Sequence, residues 1–216
     1  MTMYVWRLAP EDAYSDVQAT RREAIRYVQA FQQNPHPNLA PYANCNFAPV
    51  SVGHCRNWAV DQIFQHHLVR QGWCGVGLDL RQGRDAWIQN WRLLDPTYTY
   101  QAAGDRYDRL SPILAIRAGD IIFLPRVPDW HRFTVVTVAE PYYFEDRSRF
   151  TQFWELDFGH VIPIDGNIIR TFPYGPQTLE ARAFQPYQSC VSRVTCSNNS
   201  GFGPFLRSQN YPFTPY

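Results

Sequence analysis

Along the first half of the chain, apolar residues recur mostly at helical spacing. Val17, Ala24, Ile25, Val28 and Phe31 follow Ser15 and Gln18, which have the form of a capping box, and the pattern predicts a helix over about Asp16 to Gln32. Val60, Ile63, Phe64 and His67 or Leu68 predict a second helix from about Arg56 to Arg70, stopped at Gly72. Asp85 to Leu94 reads as a third, with Trp87 and Trp91 one turn apart on one face. Short runs of branched and aromatic residues predict strands instead. Tyr4 to Leu8 is one, ended by Pro10, and Trp73 to Leu80 is another, with Gly75 and Gly77 inside it. Between these elements, Asn34 to His54 is rich in Pro and Asn and reads as a long connection. Tyr98 to Leu110, polar and aromatic, reads as a loop.

From Ala118 onward short runs of branched and aromatic residues replace the helical spacing. Gly119-Asp120 signals a turn, Ile121 to Leu124 a strand, Pro125 to His131 a break, and Phe133 to Val138 a second strand. His160 to Ile164 follows, then Ile168 to Phe172. Ile121 and Phe123 share one face and Ile122 and Leu124 the other. Both faces are apolar, as expected of a strand covered on both sides in a small closed barrel with helices outside. After Pro173 the character shifts again. Residues 190–216 are rich in Ser, Asn, Gly and Pro with spaced aromatics, and read as an arm draped on the domain by Phe202, Phe205, Tyr211 and Phe213.

Composition narrows the chemistry. At 216 residues, 45% of them hydrophobic, the chain is long enough for one domain with a core. All 20 of its Lys and Arg residues are arginine, which removes a Schiff-base lysine, a Walker lysine and the lysine of the usual metal-dependent nuclease motif. Every cation is a planar fork suited to phosphate, guanine edges and aromatic stacking. The formal charge of +1 offers no gross basic surplus, although it says nothing about distribution. Five cysteines without a leader sequence point to a reducing, cytoplasmic setting, and no apolar run is long enough to span a bilayer.

Candidate catalytic and metal sites are sparse. Cys45, His54, Cys55, Asp61, His66 and His67 show no CxxC, HxxxH or HExxH spacing, so no metal or cofactor is expected. Ser192 and Ser208 lack a GxSxG setting, and Glu155 and Asp157 resemble an exposed strand end. His54 and Cys55 are adjacent, which misaligns them as a base and nucleophile. The reading is of a non-enzyme. The most informative count is the seven tryptophans, too many for one core to satisfy every indole N–H. Trp130 stands out because it lies in a loop between strands, flanked by Arg126, Asp129, His131 and Arg132. Tyr142 and Tyr143 point to opposite faces of their segment, one to the core and one to a pocket or the surface.

The Gly-Asp turn, the IIFLPR strand, the Tyr142-Tyr143 pair, the HVIPI strand and the earlier GWCGVGLDL together resemble the PUA-like superfamily, which includes EVE, YTH and ASCH domains. The wording is nearest to the EVE-like modules of modification-dependent restriction and defence systems. The resemblance implies an α+β fold: a small mixed or antiparallel barrel in residues 1–189, with N-terminal helices and the aromatic C-terminal arm. It also implies a non-catalytic reader that stacks a modified, flipped base between aromatic rings, in DNA rather than RNA, with an effector protein as a further partner. Trp130 with Trp87 or Trp91 and a tyrosine would form the cage, Asp129 would read the base edge, and Arg84, Arg126 and Arg132 would hold the backbone. The alternatives are a protein-interaction module, or a nuclease or hydrolase with an unfamiliar site.

Overall fold

Strand β3 (Ile121–Pro125) is buried along its whole length, and the rest of the chain is arranged on its two faces. A computed structural model describes residues 1–8, 14–72, 75–194 and 201–212. Beside β3 lie β1 (Met3–Trp6), parallel to it, and β4 (Arg132–Val138), antiparallel. β4 in turn pairs with β6 (His160–Pro173), and the start of β6 pairs with both β2 (Leu68–Gln71) and the short β5 (Tyr143–Phe144). The far edge is β7 (Val191–Arg193), antiparallel to β1. The order β2-β6-β4-β3-β1-β7, with β5 added on β6, makes one mixed sheet. It curls into a half-barrel within an α+β fold.

The alternation read from the sequence sorts the core. Ile122 and Leu124 join Tyr4, Trp6, Val136 and Val138 in the larger apolar cluster. Ile121 and Phe123 join Val5, Phe133 and Val135 in a second cluster on the opposite face. Helices α1 (Val17–Gln33), α4 (Arg84–Leu94) and α5 (Tyr100–Leu110) cover the first face. The second face is covered by α6 (Phe202–Ser208) and by the 3-10 turn at Ala181–Phe184. The described part of the segment set apart as an arm, which leaves out Phe213, therefore supplies both a sheet edge and a packed helix.

Several boundaries differ from the sequence reading, each for a local reason. The second helix, α3, is His54–His66, because His67 takes a left-handed conformation (φ 57°) that ends it. The chain then enters β2 directly, so Leu68 and Val69, taken as helical, are strand residues. The strand expected at Trp73–Leu80 is not formed by its described part. From Gly75 the chain turns, with Gly77 at φ 78°, into a 3-10 turn at Leu80–Gln82, while Val76, Leu78 and Leu80 still reach the core. Trp73 and Cys74 lie outside the described residues.

The loop expected at Tyr98–Leu110 is instead α5, capped by the Thr99 side chain and buried through Ala103, Gly104, Tyr107 and Leu110. Small residues made that stripe hard to see. The long connection carries a single turn of helix, α2 (Ala40–Asn44), around buried Tyr42. Helix α1 is capped by Asp16, not Ser15, and buries Thr20, Ala24, Tyr27 and Ala30, leaving Val17 and Ile25 exposed. The two strands expected at 160–164 and 168–172 run on as β6, with a register irregularity opposite Val136 to Val138. Among the described residues no helix is long and apolar enough to cross a membrane.

Candidate functional site

The turn joining β3 to β4 is built to present one indole. Pro125 closes β3, and Arg126 follows in the left-handed region at φ 61°, costly for a side chain with a Cβ. Two hydrogen bonds hold it there. The Arg126 N–H donates to the Tyr174 hydroxyl at 2.8 Å, and the Arg126 carbonyl accepts from the Arg56 guanidinium at 2.7 Å. The Val127 carbonyl accepts from the Thr134 hydroxyl at 2.8 Å, and Thr134 in turn meets Thr171 at 3.0 Å. Asp129 closes the turn, accepting the His131 N–H on one carboxylate oxygen at 2.9 Å. Its other oxygen pairs with Arg132 at 3.2 Å.

Trp130 sits at the apex, 49% exposed, one of the few large apolar side chains left in solvent among the described residues. The Arg126 guanidinium carbon lies 4.3 Å from its ring centroid and that of Arg56 5.7 Å. Contacts of this kind are worth roughly 0.5–1 kcal/mol when exposed. They hold the ring and the cations on one patch. Arg7, at the end of β1, lies close enough to add to its field. Its guanidinium donates to the Tyr187 and Phe184 carbonyls, and burial, then repulsion from Arg126, lowers its pKa. Among the described residues no carboxylate pairs with Arg126.

Of the candidates named from sequence, Trp130, Arg126, Asp129, His131 and Arg132 come together here. Asp129 is committed to the turn and to Arg132, so its carboxylate is not held out for a base edge. His131 is exposed, and its backbone carbonyl accepts from the Tyr174 N–H at 3.0 Å.

The other candidates lie elsewhere. Trp87 is fully buried and stacks on buried Trp91, with centroids 5.1 Å apart. The Trp87 indole N–H donates to the Leu78 carbonyl at 2.9 Å, and Arg106 covers Trp91 at 4.7 Å. These rings belong to the core beneath α4 and α5, so they do not wall a cage around Trp130. Arg84 bridges the two helices, pairing with Asp108 at 3.1 Å. Tyr142 and Tyr143 lie beyond the other end of β4, whose 7 residues span about 20 Å.

That far end has its own polar chemistry. The Tyr142 hydroxyl meets His160 Nδ1 at 3.0 Å and Asp79 at 3.3 Å. Burial pushes the His160 pKa down to about 3, so the ring is neutral near pH 7. Its strand partner Gln71 is buried on the same face. Gln71 Oε1 and His160 Nε2 have no hydrogen-bond partner among the described residues, which leaves a neutral polar pair.

Sequence reasoning missed a further cluster on the opposite face of β2. There Arg70 and Arg147, both buried, each reach Glu145 at 2.7 Å and flank Trp58. Burial raises the Glu145 pKa, but the charges and hydrogen bonds of Arg70 and Arg147 outweigh it and hold the group below the usual range. Residues this far apart in sequence leave no motif. Arg56 was missed at the candidate site for the same reason.

The three described cysteines are not activated as nucleophiles. Burial pushes the thiols of Cys45 and Cys190 up to about 11 and that of Cys55 to about 12, far from thiolate at neutral pH. Among the described residues no three His, Cys, Asp or Glu side chains converge as a metal site. A groove of about 720 Å³ lies between residues 175–185 and α6, lined in part by Leu179, Arg182, Pro204 and Phe205. No protein-family model, no curated protein and no solved structure matches the chain.

Proposed function

We propose that the protein is a non-catalytic nucleic-acid-binding module, PUA-like in architecture, and that the β3–β4 turn is its contact surface. The observation that carries this reading is the half-exposed Trp130 indole with the Arg126 and Arg56 guanidinium groups beside it and Arg132 on the same turn. An exposed ring is a stacking platform for a base, and arginine forks grip phosphate. The curled sheet with helices on its faces is compatible with a PUA-like barrel.

The resemblance also implied a reader of modified bases. Stacking one base on one ring returns roughly 1–3 kcal/mol. Extruding a base from a duplex costs a few kcal/mol. A cage of several rings was expected to cover that cost, and the rings proposed for it, Trp87 and Trp91, are in the core. The reading kept is therefore nucleic-acid contact through the turn, without selection of a modified base there.

Fluorescence anisotropy against short labelled oligonucleotides, unmodified and carrying 5-methylcytosine, 5-hydroxymethylcytosine or N6-methyladenine, tests it. Binding should weaken as salt rises and fall on Trp130→Ala, with little difference among the modifications. Absence of binding at low salt would refute the reading and favour a protein partner. A modification preference that survives Trp130→Ala would place a base pocket elsewhere.

A further inference from the structure

Resting on that nucleic-acid reading, we infer that the substrate class of the Trp130 turn is an unpaired strand, not a duplex. In a duplex each base face is covered by its neighbours, so a protruding indole finds a face to stack on only at an unpaired or terminal base. Forcing one out of a duplex would need the additional rings that the core holds back at Trp87 and Trp91.

Trp130 is 49% exposed at the apex of a turn, where a flexible strand can reach it. The nearby cations are few. Arg126, Arg132 and Arg56 are the guanidinium groups tied to the turn by contact, and the molecule as a whole carries only +1. Three phosphate contacts suit a short single-stranded segment held chiefly by stacking. The turn is also rigid for its exposure, pinned by Tyr174, Thr134 and Asp129, so little ordering is required on binding.

The test compares one 12-nucleotide oligonucleotide as a single strand and as a blunt duplex, in DNA and RNA, by anisotropy over a range of salt concentrations. The chain is used as wild type, Trp130→Ala, Trp130→Phe and Arg126→Ala. The single strand should bind at least about tenfold more tightly than the duplex. Its log K should fall with log salt at a slope of about −2, as expected for three contacts on a single strand. Trp130→Ala should weaken the single strand roughly 5- to 150-fold, while Trp130→Phe retains most of the affinity. Arg126→Ala should make the slope shallower. A urea midpoint unchanged in each variant separates these effects from misfolding.

Duplex binding equal to or tighter than that of the single strand would overturn the inference while leaving the nucleic-acid reading in place. Single-strand binding indifferent to Trp130→Ala would remove the turn as the contact surface, and this inference with it. No binding of either form would remove the reading, and this inference with it.

Discussion

Seven tryptophans raised the question of which serve the core, and their surroundings answer it for the pair on α4. Trp87 is enclosed and its N–H is satisfied by Leu78, so Trp87→Ala removes a large buried ring and strands a carbonyl. The expected cost is about 3–5 kcal/mol, read as a drop in urea midpoint. A cost near zero would contradict its place in the core. Trp130→Ala should leave the same midpoint almost unchanged, since its ring is half in solvent.

His160 supplies a prediction in pH. Its folded pKa, about 3, lies below the unfolded value near 6.5 because burial disfavours the cation. The unfolded chain therefore binds the proton first. The neutral ring's contribution to stability is complete above about pH 6.5 and is lost as pH falls towards 3, by about 1.4 kcal/mol per unit. Between pH 6.5 and 5, His160→Gln should flatten the decline in stability by up to about 2 kcal/mol. Identical pH profiles for wild type and variant would refute this.

At the scale of elements, α6 is the piece whose role is easiest to test. Phe202 is fully buried and sets its ring edge-on to Phe123 of β3 at 4.6 Å, with Phe184 and Tyr187 around it. Phe202→Ala should destabilise the fold by about 3–5 kcal/mol, and a thermal melt shows whether it does. A loosely draped tail would lose almost nothing.

The elements also show what the sequence could reveal. The continuous apolar run in β3 and the helical stripe in α4 were legible because large apolar residues mark them. Helix α5 was not, since its buried stripe includes Ala103 and Gly104 and its aromatics read as loop. The end of α3 was misplaced because a left-handed histidine, not a glycine, stops the helix. At the site, the turn residues from Arg126 to Arg132 were legible by adjacency. Arg56 and Tyr174 were not, because only the fold brings them to Arg126. The cage failed for the converse reason. Trp87 and Trp91 share a helix face, but spacing alone does not say whether that face looks inward.

For the whole molecule, the sheet separates two kinds of chemistry. One end of β4 carries the exposed indole and its arginines, and beyond the other lies the buried, neutral Tyr142–His160 pair. Binding at the first end is an electrostatic and stacking event on the surface, so it should proceed without a large change in fold or stability. The central claim is that nucleic acid meets the chain at the β3–β4 turn. Zero-length ultraviolet crosslinking to a single-stranded oligonucleotide, with the attachment points mapped by mass spectrometry, tests it most directly. Crosslinks concentrated between Arg126 and Arg132, and lost in Trp130→Ala, are the predicted result. Crosslinks confined to the groove beside α6 or to the Tyr142 end of the sheet would contradict it.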